Sequence, residues 1–192
     1  LSGKRILLYA EQGVGDELFF ARFITPVLQQ AIQVKLYCDS RLIPLLSRAF
    51  PTLECVPKTN RAIDQTNTPP FDYTCPPGSL PRHLCRSVSL IDSFPAAYLI
   101  PNGAHVEIWR ERYRALGSTL KVGIAWRGGK SADQQRLRSI PLVQWQSLLK
   151  HAGVDFISLQ HGDCQEEIAQ FASQTGISLH TWPDTDPLSD LD

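Results

Sequence analysis

Apolar positions along this chain change rhythm repeatedly, from the alternation of a strand to the spacing of a helix and back, with glycine or proline near each change. Residues 4–10 (KRILLYA) are a short β-rich run closed by Glu11, Gln12, Gly13, Val14, Gly15 and Asp16. Beyond it, Phe20, Phe23, Ile24, Val27, Leu28 and Ala31 follow i, i+3, i+4, i+7 spacing and share one helix face. Pro26 sits in that span and lacks a backbone donor, so the pattern predicts a kink near Arg22 or an early end to the regular helix. Residues 33–38 (QVKLYC) read as a second strand, and Asp39 or Ser40 stands where a cap is needed for a helix carrying Leu42, Leu45, Leu46 and Ala49 on one face.

Residues 53–56 and 71–75 read as third and fourth strands, separated by a polar, proline-containing surface loop over 58–70. The stretch 76–101 holds five prolines around Gly78, Ser79, Leu80 and Pro81, which predicts a long functional loop with a short helix inside it. A helix over 104–116, with Val106, Trp109, Tyr113 and Leu116 on one face, stops at Gly117 and Ser118. From Leu120 the grammar restarts: a strand (LKVGIAW), a Gly-Gly turn, a helix from about Pro141, a strand over 154–159, a helix over 166–173 and a third strand over 177–180. Repeated strand-loop-helix units of this size imply an α/β fold with mainly parallel sheets and right-handed crossovers.

The composition narrows the classes of function. At 192 residues with 43% hydrophobic positions, the chain can bury a real core. Lys plus Arg and Asp plus Glu balance at 19 each, so no overall field draws the chain to a nucleic acid polymer or an acidic membrane, and any anion site must be local. The longest apolar stretches, such as 6–10 and 18–21, fall far short of the ~20 residues that cross a bilayer, so no transmembrane segment is expected. No secretory signal is visible, and the expected setting is soluble and cytoplasmic. The five cysteines (Cys38, Cys55, Cys75, Cys85 and Cys164) show no C-x-x-C pair and read as reduced thiols. The histidines are scattered, so neither a protein metal site nor a cofactor is expected. The chain contains no methionine and opens on Leu1, and residues 187–192 read as a loop leading into something further, so flanking parts are expected on both sides.

In an open parallel sheet, ligands bind beyond the carboxyl ends of the strands, which directs attention to the first loop of each half. In the first, Gly13 and Gly15 let backbone pass close to a ligand, with helix-start amides facing it. Asp16 follows them, and it admits two readings: a chemical group, or an acidic residue that merely satisfies a helix start at ~0.5–2 kcal/mol. The third glycine of a dinucleotide fingerprint would fall at Leu18, which counts against NAD. In the second loop, Arg127, Gly128, Gly129 and Lys130, followed by Arg136 and Arg138, place four cations around a flexible turn suited to a diphosphate. The alternative there is a solvated loop kept soluble by its arginines.

The stretches EQGVGDELFFARFITPVLQQ, FDYTCPPGSLPR, VGIAWRGG, RLRSIPLVQWQSLL and FISLQHGD, in that order, resemble the C-terminal region of bacterial tetratricopeptide-repeat proteins with a GT-B type glycosyltransferase-like domain. That region is itself similar to the heptosyltransferase family. The resemblance covers nearly the whole chain and implies two Rossmann-like domains facing across a cleft: an acceptor-side domain over 1–117 and the truncated start of a donor-side domain over 118–192. It implies that Asp16 is the general base, that Gly13, Gly15 and Ser79 belong to the acceptor-side loops, and that Arg127 to Arg138 lie near the donor diphosphate. Partners would be a nucleotide-sugar donor and an acceptor of unknown identity, with flanking repeats free to bind protein. Gly128, Gly129 and Lys130 replace the asparagine and histidine common in related chains, and a later Asp-Thr-Ala-x-x-His donor motif would lie beyond Asp192. The segment by itself is therefore expected to be inactive. Two other readings stay open: a non-catalytic glycan- or protein-binding module presenting Trp109, Tyr113 and Trp145, and a small nucleotide-binding enzyme.

Overall fold

The computed structural model describes residues 1–58, 70–85, 87–129, 131–184 and 191. It is a mixed α/β structure whose contacts form two compact units, Leu1–Gly103 with Leu191–Asp192 and Ala104–Asp190.

In the first unit the order is β1 (Arg5–Tyr9), α1 (Val14–Ala21), α2 (Thr25–Gln30), β2 (Gln33–Cys38), α3 (Ile43–Ala49), β3 (Glu54–Pro57), β4 (Tyr73–Cys75) and α4 (Leu80–Leu84). Its sheet runs β3-β2-β1-β4, every pair parallel, with Ile6 opposite both Val34 and Tyr73. The central strand β1 buries Ile6, Leu7 and Leu8 in succession, as a strand covered on both faces must. β2 instead alternates, burying Val34, Leu36 and Cys38. Against these pack Phe23, Ile24 and Val27 from the α1–α2 region, Leu42 and Leu46 from the α3 region, and Leu80. The helix expected after β1 is split in two, because α1 ends at Ala21 and Pro26 takes an early position in α2, where its missing donor costs nothing. Asp39 caps the 3-10 turn Ser40–Leu42 by accepting from the Arg41 N–H at 3.1 Å. Most of the proline-containing loop read over 58–70 lies outside the described residues.

The second unit holds α5 (Gly103–Ala115), β5 (Leu120–Ile124), α6 (Ala132–Arg138), α7 (Gln146–Leu149), β6 (Val154–Ser158) and α8 (Gln165–Thr175). β5 and β6 pair in parallel from Leu120↔Val154 to Ile124↔Ser158. Their core joins Ile124, Trp126, Leu142, Leu149, Phe156 and Phe171. The strand expected over 177–180 is reduced to one bridge between His180 and Ile157, held by Ser158 N–H to His180 O and His180 N–H to Phe156 O, each 2.9 Å. The helix α6 is a departure from the expected open loop: Ser131 caps it through the Gln134 N–H. The units divide at Gly103 rather than after α5, where the sequence reading put the boundary. The reason lies in α5 itself: Trp109 stands 5.2 Å edge-on to Trp182, and Arg112 pairs with Asp184. Among the described residues, no helix is long and apolar enough to cross a membrane.

Candidate functional site

Strand order in the first unit reverses direction at β1: β2 and β3 extend to one side and β4 lies on the other. That reversal leaves a crevice beyond the carboxyl ends of β1 and β4, since the chains leaving them diverge. A shallow, open depression lies there. One wall carries Glu11, Gln12, Asp16 and Glu17, and the other Pro76, Pro77 and Gly78, with Phe20 between them. The Phe20 ring packs against Gly78, where a Cβ would stand 3.4 Å from the ring, in ordinary contact.

Helix α1 opens at this cleft on Gly13, whose backbone is extended and which supplies no side-chain cap. The Asp16 and Glu17 N–H groups both donate to the Gly13 carbonyl at 3.0 Å, so Asp16 begins the helix without its carboxylate serving as a cap. Consecutive helical residues point about 100° apart, and the two acids part accordingly. The Asp16 carboxylate is exposed and makes no hydrogen bond or ion pair among the described residues. Glu17 is buried, and a buried carboxylate needs partners. Its Oε1 meets Lys58 Nζ at 2.5 Å and its Oε2 accepts from the Asp39 N–H at 2.8 Å. Lys58 Nζ also donates to the Gln12 carbonyl at 3.0 Å. Glu17 and Lys58 thus tie the β1–α1 loop to the ends of β2 and β3. Beside them Arg41 grips Asp39 through two bonds of 2.9 and 2.8 Å, and this holds the Asp39 carboxyl down at about 2.

Of the residues that the sequence marked on this side, Asp16 lines the cleft, while Gly13, Gly15 and Ser79 flank it without forming its walls. Glu11, Glu17, Phe20 and Gly78 were not singled out. Burial of an acid such as Glu17 leaves no local signature, because its cation stands 41 positions away.

In the second unit the loops after β5 and β6 meet at one point, held by the buried side chain of Gln160. Its Oε1 accepts from Trp126 N–H at 3.0 Å and Arg127 N–H at 2.7 Å. Its Nε2 donates to the carbonyls of Arg127 at 3.2 Å and His161 at 3.0 Å. The resulting open depression is lined by Arg127, Gly128, Gly129, Gln160, His161 and Gly162, among others. The expected cation cluster is only partly assembled. Arg127 spends its charge within the unit, on the Asp163 carbonyl at 2.8 Å and Glu167 at 3.4 Å. Arg136 and Arg138 are exposed in the last turn of α6 and do not line the depression, and Lys130 lies outside the described residues. Gly129 is required where it stands: its φ is +102°, and a Cβ would lie 2.6 Å from that of Gln134.

The aromatic candidates are largely engaged. Trp109 and Tyr113 pack with Trp182, Arg112 lies 4.9 Å over the Trp109 ring, and Trp145 packs on the second core. Among the described residues no three His, Cys, Asp or Glu side chains are grouped to hold a metal ion, and all five cysteines are free thiols.

Compared with known proteins, the chain matches no family model, and no solved structure matches it. It is similar to the protein FlbA of Caulobacter vibrioides, 31% identical over 206 residues that cover 100% of this chain and 34% of that protein. The chain therefore spans about a third of the length of the curated relative it matches.

Proposed function

We propose that the chain is part of a glycosyltransferase-like protein of GT-B type that moves a sugar from a nucleotide-activated donor to an acceptor hydroxyl with inversion. The observation that carries this reading is Asp16: a carboxylate with no partner among the described residues, exposed in a depression at the reversal of strand order. In the reaction Asp16 takes the proton of an acceptor hydroxyl while that oxygen forms a bond to the anomeric carbon. The bond from that carbon to the nucleoside diphosphate breaks as the new one forms. Within the second unit, the glycine turn after β5 is the candidate place for a diphosphate, as such turns are in parallel sheets. Glu17 is excluded as the base, since Lys58 and the Asp39 N–H occupy both of its oxygens. The protein acts in the cytoplasm, where nucleotide-activated sugars are made.

The test is release of nucleoside diphosphate from a panel of nucleotide-activated sugars by the intact protein and its Asp16→Asn variant. Loss of about 100-fold or more in turnover, with the unfolding midpoint unchanged, is expected. Turnover equal to that of the parent would return Asp16 to the role of an acidic residue at a helix start. Trp109 and Trp145 are half-buried and Tyr113 is exposed, so a module that binds partners through those rings stays as the second reading.

A further inference from the structure

The structure assigns a redox role to two thiols of the first unit: Cys55 is oxidised by a hydroperoxide, and Cys38 resolves the product as a reversible disulfide. The pairing follows from strand register. β2 and β3 run in parallel with Leu36 opposite Cys55 and Cys38 opposite Pro57. Cys38 lies two positions beyond Leu36, so it and Cys55 point to the same face of the sheet as diagonal neighbours. That face is the core side, where Leu36 and Cys38 are buried and Cys55 packs half-buried against them. The opposite face carries the Lys35–Glu54 ion pair at 2.7 Å, which marks the same register. The two sulfurs are close enough to share a hydrogen bond. Cys75, by contrast, stands on β4 at the far edge of the sheet, and Cys164 precedes α8 in the second unit.

The surroundings divide the work between the two thiols. Donating to Cys55 keeps the proton on Cys38, and burial and the nearby Glu17 and Asp39 carboxylates push its thiol up further. Receiving that hydrogen bond lowers the Cys55 thiol; partial burial opposes the shift, and the Ser47 hydroxyl, on an exposed residue of α3, supports it. Cys55 is therefore the nucleophile. Its thiolate attacks one oxygen of the peroxide, the O–O bond breaks, and the second oxygen leaves as water, giving a sulfenic acid. The Cys38 sulfur then attacks the Cys55 sulfur, the S–O bond breaks, and the hydroxide departs as water with the Cys38 proton. The two thiols lose two electrons and two protons in all, and the peroxide gains them. Diagonal neighbours stand roughly 7–8 Å apart at Cα, beyond the span of a relaxed disulfide. Closure thus requires β3 to shift, which its place at the sheet edge and its length of 4 residues permit. A bond formed under such strain is readily reduced again. It would join the strands that lead into Asp39 and Lys58, the two residues that hold Glu17.

The experiment treats the folded, reduced chain with hydrogen peroxide, alkylates the remaining thiols at intervals, and digests with trypsin, which separates residues 36–41 from residues 49–58. Cys55 is expected to lose its free thiol about tenfold faster than Cys164. A peptide joining the two segments should then appear and vanish on treatment with dithiothreitol. In Cys38→Ser the Cys55 sulfenic acid should persist and be captured by dimedone, with no joined peptide. Loss of the Cys55 thiol no faster than that of Cys164 in the parent chain overturns the inference, whatever the variant does. So does a joined peptide that forms only when urea has first unfolded the chain.

Discussion

Replacing Lys58 by methionine removes the cation that permits Glu17 to be charged inside the first unit. The Glu17 side chain is only 4% exposed, whereas that of Lys58 is 34% exposed. Losing one partner of a fully buried pair costs about 3–5 kcal/mol, because the other charge is stranded. Here Glu17 keeps the Asp39 N–H, and water reaches the site that Lys58 vacates, so about 2–3 kcal/mol is expected. The reverse change is milder: in Glu17→Gln the stranded charge belongs to Lys58, which turns to solvent, and about 1 kcal/mol is lost. Urea denaturation followed by far-UV circular dichroism reads the difference. With an m-value of about 2 kcal/mol/M, the midpoint falls by about 1 M for Lys58→Met and about half that for Glu17→Gln. The double variant should be more stable than Lys58→Met alone, since no charge is then left buried. If Glu17→Gln proves the costlier single change, or the two losses simply add, the account of Glu17 as a paired buried charge is wrong.

The acid limb of stability should depend on Asp39. Its folded value is lowered from 3.8 to about 2 by the Arg41 bonds, so the unfolded chain binds more protons there, and the stabilisation it gives is complete above about 4 and lost as pH falls toward 2. Urea midpoints measured from pH 2 to 5 should therefore rise less steeply in Asp39→Asn than in the parent; identical slopes would contradict the assignment. Gly15 and Gly129 should respond oppositely to alanine. Gly15 lies inside α1 with nothing within 4 Å of a new Cβ, so Gly15→Ala should stabilise by about 0.5 kcal/mol, while Gly129→Ala meets both a positive φ and the Gln134 backbone and should destabilise by about 2 kcal/mol or more in thermal unfolding. Gln160→Leu leaves two N–H groups and two carbonyls of the β5 and β6 loops without partners and should cost about 3 kcal/mol, read from tryptophan fluorescence because Trp126 sits at the affected loop.

The alternation of strand and helix was legible because it rests on local periodicity: the run ILL of β1, the alternation of β2 and the proline between α1 and α2 each follow from residues next to one another. The start of α1 was legible for the same reason, since glycine followed by an acid after the first strand marks a helix start at the carboxyl edge of a sheet. What escaped depends on distance in sequence. Lys58 meets Glu17 only once β3 lies beside β2, and Phe20 turns toward Gly78 only once β4 lies beside β1. Counting cations in the second loop misled for a related reason: Glu167, far along the chain, claims Arg127, and α6 carries Arg136 and Arg138 out to its exposed end. That helix had a local signal after all, the Ser131-x-x-Gln134 start of a capping box, hidden beneath the attraction of a Gly-Gly pair flanked by basic residues.

Asp16 and Glu17 have similar chemistry and adjacent positions, and the fold gives them opposite roles through a single turn of angle. Rotating α1 by one residue about its axis would aim Asp16 at Lys58 and leave the longer Glu17 in the cleft, so what fixes the arrangement must act on the helix and not on either acid alone. The anchor is twofold: the Glu17 carboxylate is held from the ends of β2 and β3, and Phe20, one turn later, is seated over Gly78. Residues 17 and 20 lie three apart on α1 and are held by different elements, which resists a rotation by one residue. The exposure of Asp16 is in this sense a consequence of the burial of Glu17, and a change that loosens Glu17 should disturb the cleft even when Asp16 itself is untouched.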